Sequence, residues 1–291
     1  MTKIKLIKFL VLVFVFLQCC TFGSLAAETT RKVADQETKA KKEFQSFYFL
    51  AEQKQNKKEK NERSELNKRL FQAIRQGKVE LVKELLIKGA SAKAKLDINA
   101  TLHTPLTYAL SCEMIDFCGE PDEIVRTKSI VKLLIESGAD VNSKTLPFGD
   151  SPLRLASVRI GFEEIVEMLI KAGADVNEEK DGQTVLFGVL TPKTIKILLR
   201  NGLSPNHRDK EGRTPLHYLL GMMPREISDN ENLETQYAEA VKALVQGGAN
   251  VNLKIQTEPN SNGLPLCIAR FKYAEKVAEV LRQLGAKGDC E

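Results

Sequence analysis

The residues that most often perform catalysis are sparse in this sequence, and their spacing matches no known reaction centre. Three histidines occur, at His103, His207 and His217. The chain has no Gly-x-Ser-x-Gly sequence for a nucleophilic serine, no glycine loop for phosphate and no His-Glu-x-x-His zinc motif. Acidic pairs such as Glu163-Glu164 are adjacent, and adjacent residues do not face each other on a helix. The sequence therefore predicts a protein that is not an enzyme and needs no cofactor.

A recurrent phrase organises most of the chain: a turn, then Thr-Pro-Leu, and later Leu-Leu-x-x-Gly-Ala-x-x-Asn. The clearest copy begins at Gly212-Arg213-Thr214-Pro215-Leu216-His217 and closes at 243–252. A threonine or serine before proline can cap a helix, and the proline fits the first helical turn. Glycine in the later part, for example Gly173, supplies the left-handed residue that ends a helix. Each predicted helix pair leaves apolar faces that only a stacked neighbour can bury.

With these phrases the sequence resembles the ankyrin-repeat family. The resemblance implies an all-α fold, a solenoid of about six helix-turn-helix units joined by β-hairpin-like loops. It also implies a structural role for His217, at a position where such repeats place a histidine in contact with turn backbone. The predicted repeats end near six glycines: Gly89, Gly138, Gly173, Gly202, Gly248 and Gly285.

Three departures from the regular period are informative. Insertions fall near 111–129 and near 222–236, and the second is rich in Asp, Glu and Asn. The fourth unit is short, because Thr184-Val185-Leu186 lacks the proline and Thr191-Pro192 begins the next helix soon afterwards. Long loops inside a compact array are either disordered or functional, and both readings stay open for the two insertions.

The N-terminal residues 1–27 have the three regions of a secretory signal peptide. Lysines at positions 3, 5 and 8 precede the apolar run 9–17, and the small residues of 24–27 follow. We expect cleavage after Ala26 or Ala27, export by a bacterial cell to the periplasm or beyond it, and no stable membrane span in the mature chain. An uncleaved anchor, or a lipoprotein acylated at Cys19 or Cys20, is the alternative.

Residues 28–69 form a charged N-terminal extension, and the repeat domain is predicted for 70–291. The extension alternates charges as a linker or an exposed helix does, while Phe44, Phe47 and Tyr48 share helical spacing. Three interpretations stay open: the stripe docks on the first repeat, it docks on a partner, or it belongs to a transient helix in a flexible tail. The formal net charge is +5, but its basic excess lies before Leu70, so no nucleic-acid partner is predicted.

Four of the six cysteines remain after the predicted cleavage, an even number that permits disulfides in an oxidising compartment. Cys112 and Cys118 are close enough in sequence to close the first insertion. Cys267 starts the first helix of the last unit and Cys290 follows its second helix, so antiparallel helices would bring the two together. Four free thiols are the alternative. A metal site is not predicted, because the spacing between the cysteine pairs is too long.

The resemblance also implies where a protein partner binds: at the hairpin tips and on the inner face of the first helices. Phe148 stands out, as either an interface hot spot or a packing residue of the next tip. The candidate binding residues are Lys95, Asp97, Tyr108, Lys144, Phe148, Arg154, Arg159, Lys180, Arg208, Lys210, Tyr218 and Lys254. The expected function is a non-catalytic scaffold or inhibitor in the periplasm; the alternative is a secreted bacterial effector that binds host proteins.

Overall fold

The computed structural model of the chain describes residues 27–111, 122–255, 263–288 and 290. Its contacts divide the chain into two compact units, with the boundary between Asn61 and Glu62. Helix α1 (Ala27–Arg75) includes residues of both units. No helix among the described residues is both long enough and apolar enough to cross a membrane.

The extension between residues 28 and 69, predicted as a linker or an exposed helix, is helical. Residues 44–64 expose their side chains to solvent. From Glu62 onward the helix belongs to the second unit, where Leu66 packs against the core and Asn67 Oδ1 accepts a hydrogen bond from the Ser91 N–H at 2.8 Å. The second unit therefore begins before Leu70, because Leu66 lies one turn earlier on the same apolar face.

Helix pairs and short hairpins make up the rest of the second unit. Each second helix of a pair packs against the second helix of the next pair, which buries the apolar faces that one pair leaves open. The helices are α2 (Val79–Ile87), α3 (Pro105–Ala109), α4 (Glu123–Glu136), α5 (Pro152–Ser157), α6 (Glu163–Lys171), α7 (Pro192–Arg200), α8 (Pro215–Met222), α9 (Glu231–Gln246), α10 (Pro265–Phe271) and α11 (Glu275–Gln283). Two antiparallel hairpins pair β1 (Leu96–Ile98) with β2 (Thr101–His103), and β3 (Glu179–Lys180) with β4 (Gln183–Thr184).

The helix boundaries follow the predicted signals. Thr104 caps α3 and Ser151 caps α5, each accepting a hydrogen bond from the backbone N–H three residues later, with proline at the first helical position. Gly173 ends α6 with a φ of 92°, and the next residue, Ala174, returns its N–H to the Leu169 carbonyl at 3.0 Å.

The asparagine that closes the repeated phrase joins one helix pair to the next. Asn142 donates from Nδ2 to the Gly173 carbonyl at 3.0 Å and accepts from the Asp175 N–H at 2.8 Å. Asn206 and Asn252 repeat this two-sided bond with the glycine turns that follow them. The same amide thus satisfies both a donor and an acceptor of a turn that would otherwise lack partners.

In the short fourth unit, a buried turn occupies the place of a first helix. Val185, Leu186 and Val189 are almost fully buried, although only β4 and turns precede α7. Without proline after Thr184, and with only seven residues separating it from Pro192, the chain has no room for a helix of useful length.

The second insertion is ordered and packs on the last helix pair. Met223 and Ile227 are buried, and the Met223 carbonyl accepts a hydrogen bond from Lys272 Nζ at 2.6 Å. The Glu234 carboxylate accepts from the Lys276 N–H at 2.7 Å, at the start of α11. Polar residues of the second insertion, such as Glu234, therefore form hydrogen bonds that connect the insertion to the last helix pair. Part of the first insertion, 122–129, forms the start of α4, whereas 112–121, with Cys112 and Cys118, lies outside the described residues.

Candidate functional site

The predicted hairpin-tip residues of the first described hairpin are exposed. Lys95 precedes β1, and Asp97 lies within it on the solvent side. Asn99 and Ala100 form the turn with positive φ values of 52° and 61°. Lys254 is also exposed, just before residues 256–262, which lie outside the described part of the chain.

Other predicted tip residues form ion pairs and hydrogen bonds between successive tips. Lys180 Nζ contacts Asp150 Oδ1 at 2.6 Å, and Lys210 Nζ contacts Asp181 Oδ1 at 3.4 Å. Arg208 donates to the Gly212 carbonyl at 2.6 Å and to the Lys254 carbonyl at 3.1 Å. Exposed pairs of this kind contribute little stability. They connect each of these tips to a neighbouring one.

Asp209, which the sequence analysis did not select, holds the tip around 209–213 in shape. Its carboxylate accepts hydrogen bonds from the Arg213 N–H at 2.8 Å, from Arg213 Nε at 2.9 Å and from Gln183 Nε2 at 3.3 Å. Burial favours a higher pKa for this carboxyl, but the bonds from Arg213 and Gln183 hold the pKa below its ordinary value. The signal in the sequence is an aspartate three residues before Gly212, a pattern typical of a turn.

In α5 and α8, the third residue of the helix contacts the hairpin that follows. His217 Nε2 donates to the carbonyls of Leu253 at 2.9 Å and Gly263 at 3.1 Å, while its Nδ1 accepts from the Thr214 N–H at 3.1 Å. Arg154 occupies the same position in α5 and donates to the carbonyls of Gln183 at 2.8 Å and Thr184 at 3.3 Å. We call these side chains the N3 staples.

The guanidinium group of Arg154 also lies beside a buried carboxylate, that of Glu178. Glu178 is nearly fully buried and lies 3.5 Å from Arg154 Nε. It accepts a short hydrogen bond from Ser151 Oγ, the cap of α5. Lys144 reaches the other carboxylate oxygen at 3.5 Å from a half-exposed position. The geometry thus places Arg154 within a buried network between two repeats.

Arg159 is likewise engaged inside the array. Its guanidinium pairs with the buried Glu123 at the start of α4 and donates to the Leu110 carbonyl at 3.4 Å. The same group lies 4.1 Å from the centroid of the Phe162 ring, and burial lowers its pKa. Its position joins the turn between α5 and α6 to α4.

The two predicted tyrosines differ in exposure. Tyr108 is buried, with its ring 5.4 Å from the Phe71 ring and 5.7 Å from the His103 ring between centroids. Tyr218 is half-buried, and the Arg213 guanidinium lies 5.3 Å from its ring centroid. The last turn of α1 therefore covers Tyr108, while Tyr218 keeps an accessible side.

The hairpin tip between α4 and α5 has an apolar surface. Leu146 is 53% exposed and Phe148 is 60% exposed. The backbone below them is fixed: Leu102 and Leu146 exchange N–H to carbonyl bonds of 2.8 and 3.3 Å, and the Thr145 N–H donates to the Asp150 carbonyl at 3.0 Å. A rigid backbone thus presents two large apolar side chains to solvent.

A comparison with family models decides what these stacked pairs are. Residues 124–189 match the model for ankyrin repeats in three copies. Residues 124–189 carry ankyrin repeats. No curated protein matches the sequence significantly.

Solved structures with ankyrin repeats resemble this one over about three quarters of its length. An ankyrin repeat domain (ABAYE2397) from Acinetobacter baumannii AYE is 26% identical with a TM-score of 0.55, and the match covers 75% of this chain and 98% of that one. EF0377, an ankyrin repeat protein, is 25% identical with a TM-score of 0.53, covering 74% and 96%. The human ASB11 ankyrin repeat domain is 23% identical with a TM-score of 0.55, covering 75% and 84%, and shows the fold alone.

The ankyrin repeats use their histidines for structure. His217 is buried with both ring nitrogens bonded, and His207 Nε2 contacts the Gly182 carbonyl at 3.0 Å. His103 is buried beside Thr107 and Tyr108. Within residues 27–111, 122–255, 263–288 and 290, no cluster of three His, Cys, Asp or Glu side chains is placed to hold a metal ion. Ankyrin repeats are typically non-catalytic binding scaffolds, and protein binding is their general activity.

The buried histidines predict that the ankyrin array loses stability in mild acid. Burial lowers the pKa of His103, and it lowers that of His217 more than the carbonyls of Leu253 and Gly263 raise it. Below about pH 6.5 the unfolded chain binds protons that the folded chain excludes, so stability is complete above that pH and decreases as the pH falls towards the lowered folded values. We expect the free energy of unfolding to fall from pH 7 to pH 5.

Denaturant titrations at the two pH values measure this change. The double variant His103→Gln, His217→Gln is the control, because it lacks both titrating rings and is expected to show a shallower pH dependence. An unchanged pH dependence in that variant would assign the acid sensitivity to other groups.

Proposed function

We propose that this protein is a non-catalytic ankyrin-repeat scaffold or inhibitor, exported to the periplasm of a bacterium, that holds a folded protein partner. The exposed apolar tip formed by Leu146 and Phe148 carries the proposal. Large apolar side chains on a rigid, exposed backbone are a common form of interface hot spot, because their burial needs no rearrangement of the chain.

The surroundings of this tip support a protein partner. Lys144 is half-exposed beside Leu146, and the Lys180–Asp150 pair lies on the following side of the hairpin. Charged groups around a small apolar centre are typical of an interface rim, which adds specificity more than affinity. Arg154 and Arg159, by contrast, already use their guanidinium groups for contacts within the array.

Export is supported by the cysteine chemistry and by the N-terminal sequence. A disulfide joins Cys267 and Cys290, and such bonds persist in oxidising compartments. The signal-like pattern of residues 1–27 has the same implication. The Acinetobacter baumannii domain comes from a bacterium, and nearly its whole length is similar to this chain. Cell fractionation tests the location: a periplasmic fraction is expected, whereas recovery from the medium or from host cytosol would favour a secreted effector.

Replacing Phe148 with alanine is expected to weaken partner capture at least tenfold while leaving the melting temperature almost unchanged. The side chain is 60% exposed, so its loss removes little packing from the free protein, but a hot-spot aromatic costs about 2 kcal/mol or more in a complex. Tagged wild-type protein is used to recover a stoichiometric partner from periplasmic extract, and the purified partner is then titrated against both forms.

Ile87→Ala is the matched control. Ile87 is 78% exposed at the end of α2, away from the hairpin tips, and its loss should change neither capture nor stability. A partner that binds the Phe148 variant and the wild type equally would exclude the tip as the binding site. A partner lost equally from both variants would indicate non-specific apolar capture.

A further inference from the structure

The first unit exposes a cluster of apolar side chains that no repeat needs. Phe44, Phe47, Tyr48, Phe49 and Leu50 are each at least half exposed, within two turns of α1. Monomeric soluble proteins rarely leave such a concentration of large apolar side chains in water without a use for it. The cluster lies before Glu62 and therefore belongs to the first unit.

The cluster has a dominant face. Phe44, Phe47, Tyr48 and Ala51 follow the spacing i, i+3, i+4, i+7, which places them along one side of the helix. Phe49 lies about 200° around the helix from Phe47 and so belongs to the other side. One side of these turns therefore carries most of the aromatic surface.

Basic residues flank the apolar turns on both sides. Residues 39–60 contain seven lysines against three glutamates, whereas the chain from Leu70 onward has more acidic than basic residues. Lys39 and Lys42 precede the aromatic cluster, and Lys54, Lys57 and Lys60 follow it. The positive charge is thus concentrated where the apolar side chains are exposed.

We propose that residues 39–60 of α1 bind the surface of an anionic phospholipid membrane, with the Phe44, Phe47 and Tyr48 face at the level of the headgroups. Aromatic side chains favour the headgroup level of a membrane. There one part of the ring can contact apolar acyl chains while the other part contacts water. The flanking lysines complement the negative headgroups, and a cluster of this size on an amphipathic helix is a recognised sign of anionic lipid binding. The helix would lie along the surface, as amphipathic helices with an aromatic face and flanking lysines do.

This binding is peripheral and goes beyond the proposed scaffold function. A protein partner would be held by the repeat array near Phe148, while the membrane would be contacted through residues 39–60. The consequence is that the scaffold would work at a membrane surface.

The test is co-sedimentation of the full chain with vesicles. Phosphatidylcholine vesicles that contain phosphatidylglycerol are compared with vesicles of phosphatidylcholine alone. We expect binding to the anionic vesicles, weakened by high ionic strength, and much weaker binding to the neutral ones. Equal binding to both lipid compositions would overturn the proposal, because the apolar N-terminal residues alone could produce it.

Phe47→Ala and Phe49→Ala form a matched pair of variants. Both replace an exposed phenylalanine in the same two turns and keep the same N-terminus, but only Phe47 lies on the proposed lipid face. The Phe47 variant is expected to lose about tenfold in partition to anionic vesicles, and the Phe49 variant little. Equal losses would overturn the assignment of the face. Light scattering that shows an oligomer dispersed by Phe47→Ala, without vesicle binding by the wild type, would assign the face to self-association and overturn the proposal.

Discussion

Replacing Leu169 with alanine is expected to lower the free energy of unfolding by about 2 to 5 kcal/mol. Leu169 is completely buried in α6, between the helix pairs that precede and follow it. Its truncation removes the transfer free energy of the missing carbons and leaves a cavity, because close-packed helices relax only in part. Urea unfolding followed by circular dichroism measures the change.

The loss of stability should appear first in the repeats next to α6 and only later in the rest of the array. In a stacked array each repeat contacts only its neighbours, so a cavity in α6 weakens its two interfaces more than distant ones. Amide hydrogen exchange is expected to rise in α4, α6 and α7 before it rises in α11. Ile87→Ala, which removes a largely exposed side chain, should change stability by less than about 0.5 kcal/mol. Comparable losses from both substitutions would contradict burial as the cause.

The sequence was sufficient for the local signals of the array. Serine or threonine before proline predicts the starts of α3 and α5, and glycine predicts the end of α6, because both effects depend on a few adjacent residues. The shortened fourth unit follows from the missing proline after Thr184 in the same way. The continuity of α1 was less predictable, since apolar helical spacing in its exposed part is confined to a short stretch around residues 44–51.

Many contacts between residues distant in sequence could not be predicted. Arg154 was predicted as an inner-helix binding residue, but its contacts in the structure, Glu178 and the carbonyls of the next hairpin, lie 24 to 30 residues further on. Tyr108 is covered by Phe71, which the sequence alone assigns to no particular neighbour. The second insertion is rich in acids, as flexible loops are, yet Glu234 in the first turn of α9 is buried against the start of α11. Such contacts form only when repeats stack on one another. The sequence of a single repeat therefore does not reveal them.

Removing the Cys267–Cys290 disulfide is expected to cost about 3 kcal/mol, since the bond closes a segment with a sequence separation of 23 residues. Cys267 holds the third position of α10, where α5 has the Arg154 staple and α8 the His217 staple. Here the side chain bonds covalently to the segment after α11, so the same position still joins one helix to the chain that follows it.

The double variant Cys267→Ser, Cys290→Ser tests this role without leaving an unpaired thiol in that segment. Thermal unfolding should shift to lower temperature, and exchange should rise first in α10 and α11, because the segment that follows α11 covers Leu264 and packs Ala286 against the core. A reducing agent should lower the stability of the wild type by a similar amount and leave the double variant unchanged. If reduction affects both proteins equally, the stabilisation comes from other thiol chemistry, and the bond between α10 and the following segment is not its source.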